Sequence, residues 1–261
     1  MRVVVFASGS SGNCMLLSNG DTHILIDAGI SMRRIESSLR QADLTVRDIG
    51  GVLITHEHSD HISGLKMLLK HYEVPVYAPR TIAARLRGML PEIEDMLNVI
   101  PVNTPFRLEG LSVRAFHTPH DTDESVGYRI EGRGSFAIAT DMGHVTDEVR
   151  AGLCGADTVL IESNHDLEML SYGAYPVYLK RRILSDRGHL SNPDCAALAA
   201  YLADNGTSKI ILGHLSRENN RPGIAMAESG RALLDKKTEL YCAPVFGYLS
   251  LDVEDRETCL L

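Results

Sequence analysis

The chain has 261 residues and a formal net charge of −8, with 26 Lys and Arg against 34 Asp and Glu. Its 44% hydrophobic and 23% charged residues exclude disordered, collagenous and coiled-coil chains. No apolar run approaches the ~20 residues of a membrane-spanning helix, and the short apolar start lacks the longer core of a secretory signal. The acidic balance also excludes a protein that coats nucleic acid by surface charge alone.

The cysteines indicate the cellular compartment. There are five, they lie far apart, and no two form a CxxC pair. This usage is typical of free thiols under reducing conditions. We therefore expect a cytoplasmic protein.

Short apolar runs rich in β-branched residues alternate with helical patterns along the chain. The runs predict strands at residues 3–6, 14–17, 24–26, 52–55, 136–140, 159–161 and 210–212. The helical patterns lie at residues 32–41, 62–72, 81–90, 146–151, 193–205 and 223–236. This mixed order indicates an α/β or α+β fold. Because linkers, repeats and low-complexity tracts are absent from the sequence, we expect one domain over residues 1–261.

Polar residues stand at or just past the C-terminal ends of several predicted strands. They are Asp27, the cluster that begins at His56, Asp141, Glu162 and His214. Side chains that leave a sheet at one edge can converge in one cleft. A role in the core does not explain them, because each buried carboxylate or imidazole would need its own partner. We therefore expect one functional site at this edge.

The densest cluster is Thr55-His56-Glu57-His58-Ser59-Asp60-His61. Alternation along an extended segment places His56 and His58 on one side, and Asp60 and His61 then begin the turn into the next helix. Imidazole and carboxylate groups are ligands for zinc, manganese and iron. The cluster predicts a metal site, and the alternative is a solvated histidine-rich loop.

Further ligands for a metal site occur later in the chain. His117 and His120 follow a predicted strand, and the fixed Pro119 between them disfavours both facing one ion. Asp141 can bridge two cations with its two oxygens, and His214 can complete a second site. Taken singly, these residues can equally be a capping aspartate or hydrogen-bonded histidines. Taken together with the first cluster, they exceed what a lone zinc ion requires.

The pattern of these residues resembles that of a known protein superfamily. The pattern His56-x-His58-x-Asp60-His61, followed by His120, Asp141 and His214, resembles the metallo-β-lactamase fold superfamily in its dinuclear hydrolase form. More narrowly, five segments resemble the YycJ/WalJ-type hydrolases. They are Ala7-Ser-Gly-Ser-Ser-Gly-Asn13, Leu25-Ile-Asp-Ala-Gly29, Glu162-Ser-Asn-His-Asp166, Lys180-Arg-Arg-Ile-Leu-Ser-Asp-Arg-Gly-His-Leu-Ser-Asn192 and His214-Leu-Ser-Arg-Glu-Asn-Asn220. The resemblance implies a metallo-β-lactamase-type αββα four-layer sandwich with the metals at one edge of the two sheets.

The resemblance also implies two sets of metal ligands. One ion would be held by His56, His58 and His120, the other by Asp60, His61 and His214, with Asp141 between them. His120 is preferred to His117 because the family pattern is His followed by Asp. The implied cofactors are two divalent ions, Zn²⁺ or Mn²⁺ with Fe²⁺ as a further candidate. They would hold a bridging hydroxide that Asp60 can orient. Such a pair of ions can attract an anionic phosphodiester to an acidic protein.

Hydrolysis of a phosphodiester also needs a proton for the leaving alkoxide. Glu162 and His189 are the candidates, because a carboxylate bonded to one imidazole nitrogen raises the population of imidazolium. The alternative is a purely structural hydrogen bond between the two.

Residues 180–187 carry four basic side chains against one acidic side chain. The basic residues are Lys180, Arg181, Arg182 and Arg187. They can receive phosphates through charge-assisted hydrogen bonds, or form a solvated helix face. Further candidates for substrate contact are Arg217, Asn220 and His165.

The sequence thus predicts a metallo-hydrolase, a dinuclear phosphodiesterase acting on nucleic acid. The resemblance points to a 5′→3′ exonuclease on DNA, with a place in DNA repair. One alternative is a small-molecule hydrolase of the same fold, acting on a cyclic phosphodiester, thioester or lactone. Another is a non-catalytic metal-binding regulatory partner. DNA is the expected partner, repair or signalling proteins are further candidates, and no membrane association is expected.

Overall fold

Fourteen strands are present in the computed structural model of the protein, which describes residues 1–253. They are β1 (Arg2–Ala7), β2 (Cys14–Asn19), β3 (Thr22–Ile26), β4 (Gly51–Leu53), β5 (Val76–Pro79), β6 (Leu97–Ile100), β7 (Phe106–Leu108), β8 (Leu111–His117), β9 (Val126–Gly132), β10 (Gly134–Ala139), β11 (Thr158–Glu162), β12 (Lys209–Gly213), β13 (Glu239–Cys242) and β14 (Leu249–Asp252).

The strands form two seven-stranded sheets. Their orders are β14-β1-β2-β3-β4-β5-β6 and β13-β12-β11-β10-β9-β8-β7. In the first sheet, the pairs from β14 to β3 are antiparallel and the pairs from β3 to β6 are parallel. The second sheet repeats this arrangement, antiparallel from β7 to β10 and parallel from β10 to β13. Each sheet therefore has a parallel half whose strand ends can carry a site.

Nine helices within residues 1–253 connect the strands. They are α1 (Met32–Gln41), α2 (Ser59–Ile62), α3 (Leu65–His71), α4 (Arg80–Met89), α5 (Asp147–Leu153), α6 (Leu167–Tyr172), α7 (Val177–Ile183), α8 (Asn192–Asp204) and α9 (Pro222–Ala232). Short 3₁₀ turns cover Val46–Asp48 and Pro91–Met96. None of these helices is long and apolar enough to cross a bilayer.

Two hydrophobic cores hold the layers together. One lies between the sheets and extends to α1, α3 and α4, while the other joins the second sheet to α5, α8 and α9. Strand β11 shows the division, because Leu160 belongs to the first core and Val159 and Ile161 to the second. Side chains that alternate between two cores bury both faces of a strand. The predicted αββα sandwich is confirmed.

The predicted elements are all present, most with bounds within two residues of those expected, and two helices differ more. The helix expected at residues 62–72 is divided into α2 and α3 at Gly64, where an added Cβ would lie 1.9 Å from the carbonyl oxygen of Ile30. The helix expected at residues 223–236 ends at Ala232. The prediction of one domain over residues 1–261 includes residues 254–261, which lie outside the described part of the chain.

Candidate metal centre

Three site residues have an unusual backbone conformation at the ends of strands. Asp27 follows β3, Asp141 lies two residues after β10, and His214 follows β12, with φ of 59°, 56° and 54°. Positive φ is uncommon and costly for residues other than glycine, and such strain gathers at functional sites. The sharp turns bring these side chains together at one edge of the sandwich, as the sequence predicted.

The first group of ligand atoms comes from His56, His58 and His120, and these atoms lie within 4.8 Å of one another. The Nε2 of His120 lies 3.3 Å from the Nδ1 of His58, and its own Nδ1 lies 3.3 Å from the carbonyl oxygen of Gly188. A proton on Nδ1, shared with that carbonyl, leaves the lone pair of Nε2 for a metal. By contrast, His117 is half-exposed and pairs with Glu148. The structure therefore brings His120, and not His117, to the cluster.

The second group comes from Asp60, His61 and His214. The Oδ2 of Asp60 lies 3.5 Å from the Nε2 of His61 and 3.6 Å from the Nε2 of His214. The two imidazole Nε2 atoms thus lie at similar distances from one carboxylate oxygen. This mixed nitrogen and oxygen set matches the ligands of zinc or manganese.

Asp141 lies between the two groups. Its Oδ1 is 3.5 Å from His214 Nε2 and 3.7 Å from His120 Nε2, while its Oδ2 is 3.3 Å from His61 Nε2. Burial raises the pKa of this carboxyl, but the positive histidines His214 and His61 outweigh it and hold the pKa well below its usual range. An ionised carboxylate with an oxygen toward each group is suited to bridge two cations.

Buried atoms without partners test whether metal ions fit this site. Within residues 1–253, His56 Nε2, His214 Nε2 and Asp141 Oδ2 are buried and accept or donate no hydrogen bond. A buried polar atom without a partner is costly, and here two of the atoms belong to the ligand groups and the third to Asp141 between them. The donor chemistry and the unpaired atoms together fit divalent metal ions.

Asp27 and Asn13 orient one of these ligands, and the sequence pattern assigned neither a role. The Oδ2 of Asp27 lies 2.7 Å from the Nδ1 of His61, and both Asp27 oxygens accept hydrogen bonds from Thr55. This fixes the His61 tautomer with its Nε2 lone pair toward the centre. Asn13 places its amide nitrogen 3.0 Å from that Nε2. The strand-end position of Asp27 predicted its place at this edge of the sheet, although not its contact with His61.

Glu162 and His189 form a close pair beside the metal ligands. The Oε1 of Glu162 accepts hydrogen bonds from His189 Nδ1 at 2.7 Å and from His214 Nδ1 at 3.0 Å, and its Oε2 accepts one from the Met142 amide at 2.9 Å. Burial raises the pKa of Glu162, but His189 outweighs it and brings the value to about 2. Burial alone would lower the pKa of His189, but the negative charge of Glu162 outweighs burial, so the pKa of His189 is raised.

Glu162 is close enough to Asp141, His189 and His214 to be a ligand itself. Its side chain is fully buried, and both oxygens are already engaged by three donors. The arrangement therefore suits Glu162 to orienting the two histidines. His189, whose Nδ1 is occupied, presents Nε2 as its remaining nitrogen.

A cavity of about 240 Å³ lies over the centre. Its floor is made by metal-site residues, including Asp60, Asp141 and His214, with His189 at the side. The remaining walls mix polar and apolar side chains: Ser10, Asn164, Ser216 and Arg182, with Tyr175, Leu179 and Ile183. A space of this size accommodates one phosphodiester and part of its substituents, so a polymer would lie across the surrounding surface.

Comparison with known proteins places the chain in a family. Residues 22–215 match the family model described as "Beta-lactamase superfamily domain". The chain belongs to the β-lactamase superfamily. It is 37% identical over 234 residues to exodeoxyribonuclease YycJ of Bacillus anthracis, covering 89% of each chain. It is 38% identical over 225 residues to exodeoxyribonuclease WalJ of Streptococcus pneumoniae, covering 85% of this chain and 84% of that one.

Two solved structures have the same fold. The metallo-β-lactamase fold protein YhfI from Bacillus subtilis has a TM-score of 0.70 at 16% identity, covering 96% of this chain and 99% of that one. Zn²⁺-bound PqqB from Methylobacterium extorquens has a TM-score of 0.71 at 21% identity, covering 97% of this chain and 100% of that one. The resemblance to YycJ/WalJ-type hydrolases is confirmed, and with it the prediction of a superfamily metallo-hydrolase.

Most of the basic residues predicted to bind substrate make contacts within the protein. Arg182 lines the cavity and pairs with Asp121, while Lys180 donates to the Ser171 carbonyl at 2.7 Å. Arg181 is exposed. Arg187 donates to two backbone carbonyls in residues 120–122, which fixes the segment that carries His120.

The remaining predicted substrate contacts lie in different environments. Arg217 is exposed at the rim and donates to Ser11 Oγ at 3.4 Å. Asn220 is buried, and its amide donates to the carbonyls of Ser163 and Asn164, so its contacts fix the loop after His214. His165 is buried as well, and neither ring nitrogen has a hydrogen-bond partner among residues 1–253.

Proposed function

We propose that the protein is a dinuclear metal-dependent phosphodiesterase that acts as a 5′→3′ exonuclease on DNA in the cytoplasm. The observation that carries the proposal is the meeting, in one cavity, of two metal-ligand groups joined by Asp141 and a Glu162–His189 proton-donor pair. A phosphodiester requires both parts, since its alkoxide leaving group must be protonated. The relatives named as exodeoxyribonucleases support DNA as the polymer.

The proposed metal ligands are His56, His58 and His120 for one ion, and Asp60, His61 and His214 for the other, with Asp141 bridging. Two divalent ions supply a nucleophile at neutral pH and offset the charge of the phosphate. Zn²⁺ and Mn²⁺ are the candidates, with Fe²⁺ as a third, because the ligands combine imidazole and carboxylate.

The protein's own residues orient the attacking oxygen, donate the proton and hold the metal ligands in position. Asp60 lines the cavity beside His214 and is placed to accept a hydrogen bond from the attacking oxygen species. His189 donates a proton from Nε2 to the leaving oxygen, and Glu162 stabilises the imidazolium from the opposite side through Nδ1. Asp27 keeps His61 in the tautomer that a metal requires.

Arg182 and Arg217 bind the substrate phosphates beside the metal centre. Arg182 lines the cavity, and its guanidinium pairs with the Asp121 carboxylate, from which it can turn to a substrate phosphate. Arg217 donates to Ser11, and these two residues adjoin in sequence the cavity-lining Ser216 and Ser10. Charge-assisted bonds from arginine are suited to phosphate because they can be bidentate.

Digestion of duplex DNA labelled at either the 5′ or the 3′ end tests this function. Protein loaded with Zn²⁺ or Mn²⁺ should release mononucleotides from the 5′ end first, and Asp60→Ala should abolish release. DNA with and without a 5′ phosphate shows which end group is used. An absence of nucleolysis in every metal would refute the proposal.

A small-molecule hydrolase is the second candidate, favoured by the size of the cavity. About 240 Å³ can enclose a cyclic phosphodiester without any contact from the surrounding surface. Turnover of a cyclic phosphodiester, thioester or lactone by protein that leaves DNA intact would establish it. A non-catalytic regulatory partner is the third candidate, and unchanged cellular function in both Asp60→Ala and His189→Ala would favour it.

A further inference from the structure

An exposed apolar and aromatic surface lies directly beside the cavity, on residues 167–184. This segment contains α6 and α7 and is called the helical arm below. Among residues 1–253, eleven large apolar side chains are exposed, and five of them belong to the arm. They are Leu167, Tyr172, Val177, Tyr178 and Leu184. Exposed apolar side chains that concentrate on one segment indicate an interaction site, whereas scattered single ones need no explanation.

Three tyrosines recur along the arm at intervals of three residues. Tyr172 ends α6 and is 89% exposed, and Tyr178 lies in α7 and is 73% exposed. Tyr175, between them, lines the cavity. Two exposed tyrosines thus flank, in sequence, a tyrosine that lines the cavity over the metal centre.

The arm is fixed to the body of the protein, so the exposed tyrosines are held in position. Leu170 and Ile183 are buried, one from each helix. Lys180 bonds α7 to the Ser171 carbonyl of α6. The amide that precedes α6, of Asp166, donates to the carbonyl of Asn219 at 2.9 Å. The packing of the protein does not account for apolar side chains that are held in place and yet exposed to solvent.

The charge of the arm is opposite to that of the whole protein. It carries Lys180, Arg181 and Arg182 against the single acidic residue Glu168, in a chain of net charge −8. Aromatic side chains next to cations are the features that bind single-stranded nucleic acid, with bases on the rings and phosphates on the cations. In a two-fold dimer the same patch would meet itself, and the cations would face one another.

We propose that the helical arm binds the unpaired end of a nucleic-acid strand next to the cavity, with bases stacked on Tyr172 and Tyr178 and a phosphate on Arg181. The inference rests on the proposed nuclease function and extends it. The preferred substrate is then a strand with a single-stranded end, and a blunt duplex must fray before its terminal phosphodiester reaches the metals.

Binding of a short single-stranded phosphorothioate oligonucleotide to the metal-loaded protein tests the proposal. We expect Tyr178→Ala to raise Kd about 10-fold and Tyr172→Ala by a similar factor, from the usual strength of base–aromatic stacking. Tyr178→Phe keeps the ring and should stay within about 2-fold of the wild type. Leu234→Ala is the matched control, because Leu234 is 79% exposed and lies outside the arm.

The salt dependence of binding separates stacking from charge. Tyr178→Ala should leave the slope of log K against log salt unchanged, whereas Arg181→Gln should reduce it by about 0.7. If the two substitutions acted only by disturbing the structure, their effects on the slope would not differ in this way. Cleavage should show the same preference, with a frayed 5′ end digested faster than a blunt end and the difference lost in the double tyrosine variant.

Other outcomes would overturn the proposal. Wild-type affinity in both tyrosine variants, or no oligonucleotide binding by the wild type, excludes the arm as a strand site. A change from dimer to monomer in sedimentation, with Kd unaltered, shows that a second copy of the chain covers it. Hydrolysis of bis(p-nitrophenyl) phosphate tests the metal centre separately, so failure of the nuclease function is distinguished from failure of the arm.

Discussion

The role proposed for His189 predicts a defect that depends on the leaving group. In His189→Ala the proton donor is lost, while the Glu162 carboxylate keeps its bonds from His214 Nδ1 at 3.0 Å and from the Met142 amide. The variant should therefore fold and bind metal. A positioned general acid contributes about 10²–10⁴-fold, which equals about 3–5 kcal/mol of barrier at 1.36 kcal/mol per factor of ten.

The assay compares two phosphodiesters in the same variant. DNA expels an alkoxide and needs the proton, so kcat should fall by about 10²–10⁴-fold. A p-nitrophenyl phosphodiester expels a stable anion, so its kcat should fall by less than about 10-fold. His144→Ala is the control, because His144 is an exposed histidine whose Nδ1 bonds to the Asp186 carbonyl, and it should leave both rates unchanged.

Equal losses on the two substrates would refute the proton-donor role. Such a result would mean that His189 acts through the structure or through metal affinity, both of which affect every substrate alike. Measurement of bound metal in the variant distinguishes these two explanations.

Three further predictions concern residues that support the centre. In Glu162→Gln the decrease of kcat/KM on DNA at alkaline pH should begin at a lower pH than in the wild type, because the charge that raises the pKa of His189 is gone. An unchanged pH dependence of kcat/KM would contradict this. Asp27→Asn should weaken metal binding about 10–100-fold in competition with a chelator, because the tautomer of His61 is no longer fixed; unaltered affinity would count against that role. Gly29→Ala should cost about 1–3 kcal/mol of unfolding free energy in urea, since the added Cβ would meet backbone; an unchanged midpoint would show that the backbone adapts.

The sequence predicted the strands that are buried on both faces better than those buried on one. Strands β11 and β12 are continuous apolar runs, because both of their faces lie in a core. The bounds of β8 and β9 were not predicted, although a strand was expected before His117, because their inward residues alternate with half-exposed ones such as Arg114 and Arg129. The same reason applies to α6 and α7, whose apolar side chains partly face solvent.

The ligand residues could be found from sequence because their geometry is local. His56, His58, Asp60 and His61 lie within six residues, and Asp141 and His214 stand just past the ends of strands in the parallel half of the second sheet. The partners of Arg187 could not be found in this way. Its guanidinium donates to carbonyls more than sixty residues earlier, and only the folded chain brings these groups together.

The acidic charge of the protein and its proposed polyanionic substrate are compatible only if attraction is concentrated at the site. Arg182 is paired with Asp121 and Arg187 with backbone carbonyls, so few of the predicted cations are available to phosphates at a distance. The local positive charge must then come chiefly from the bound metals, and substrate affinity should depend on metal loading. The tyrosines of the helical arm would supply affinity that salt does not screen. Both effects lead to a shallow salt dependence, in contrast to a protein that holds DNA through a broad basic face.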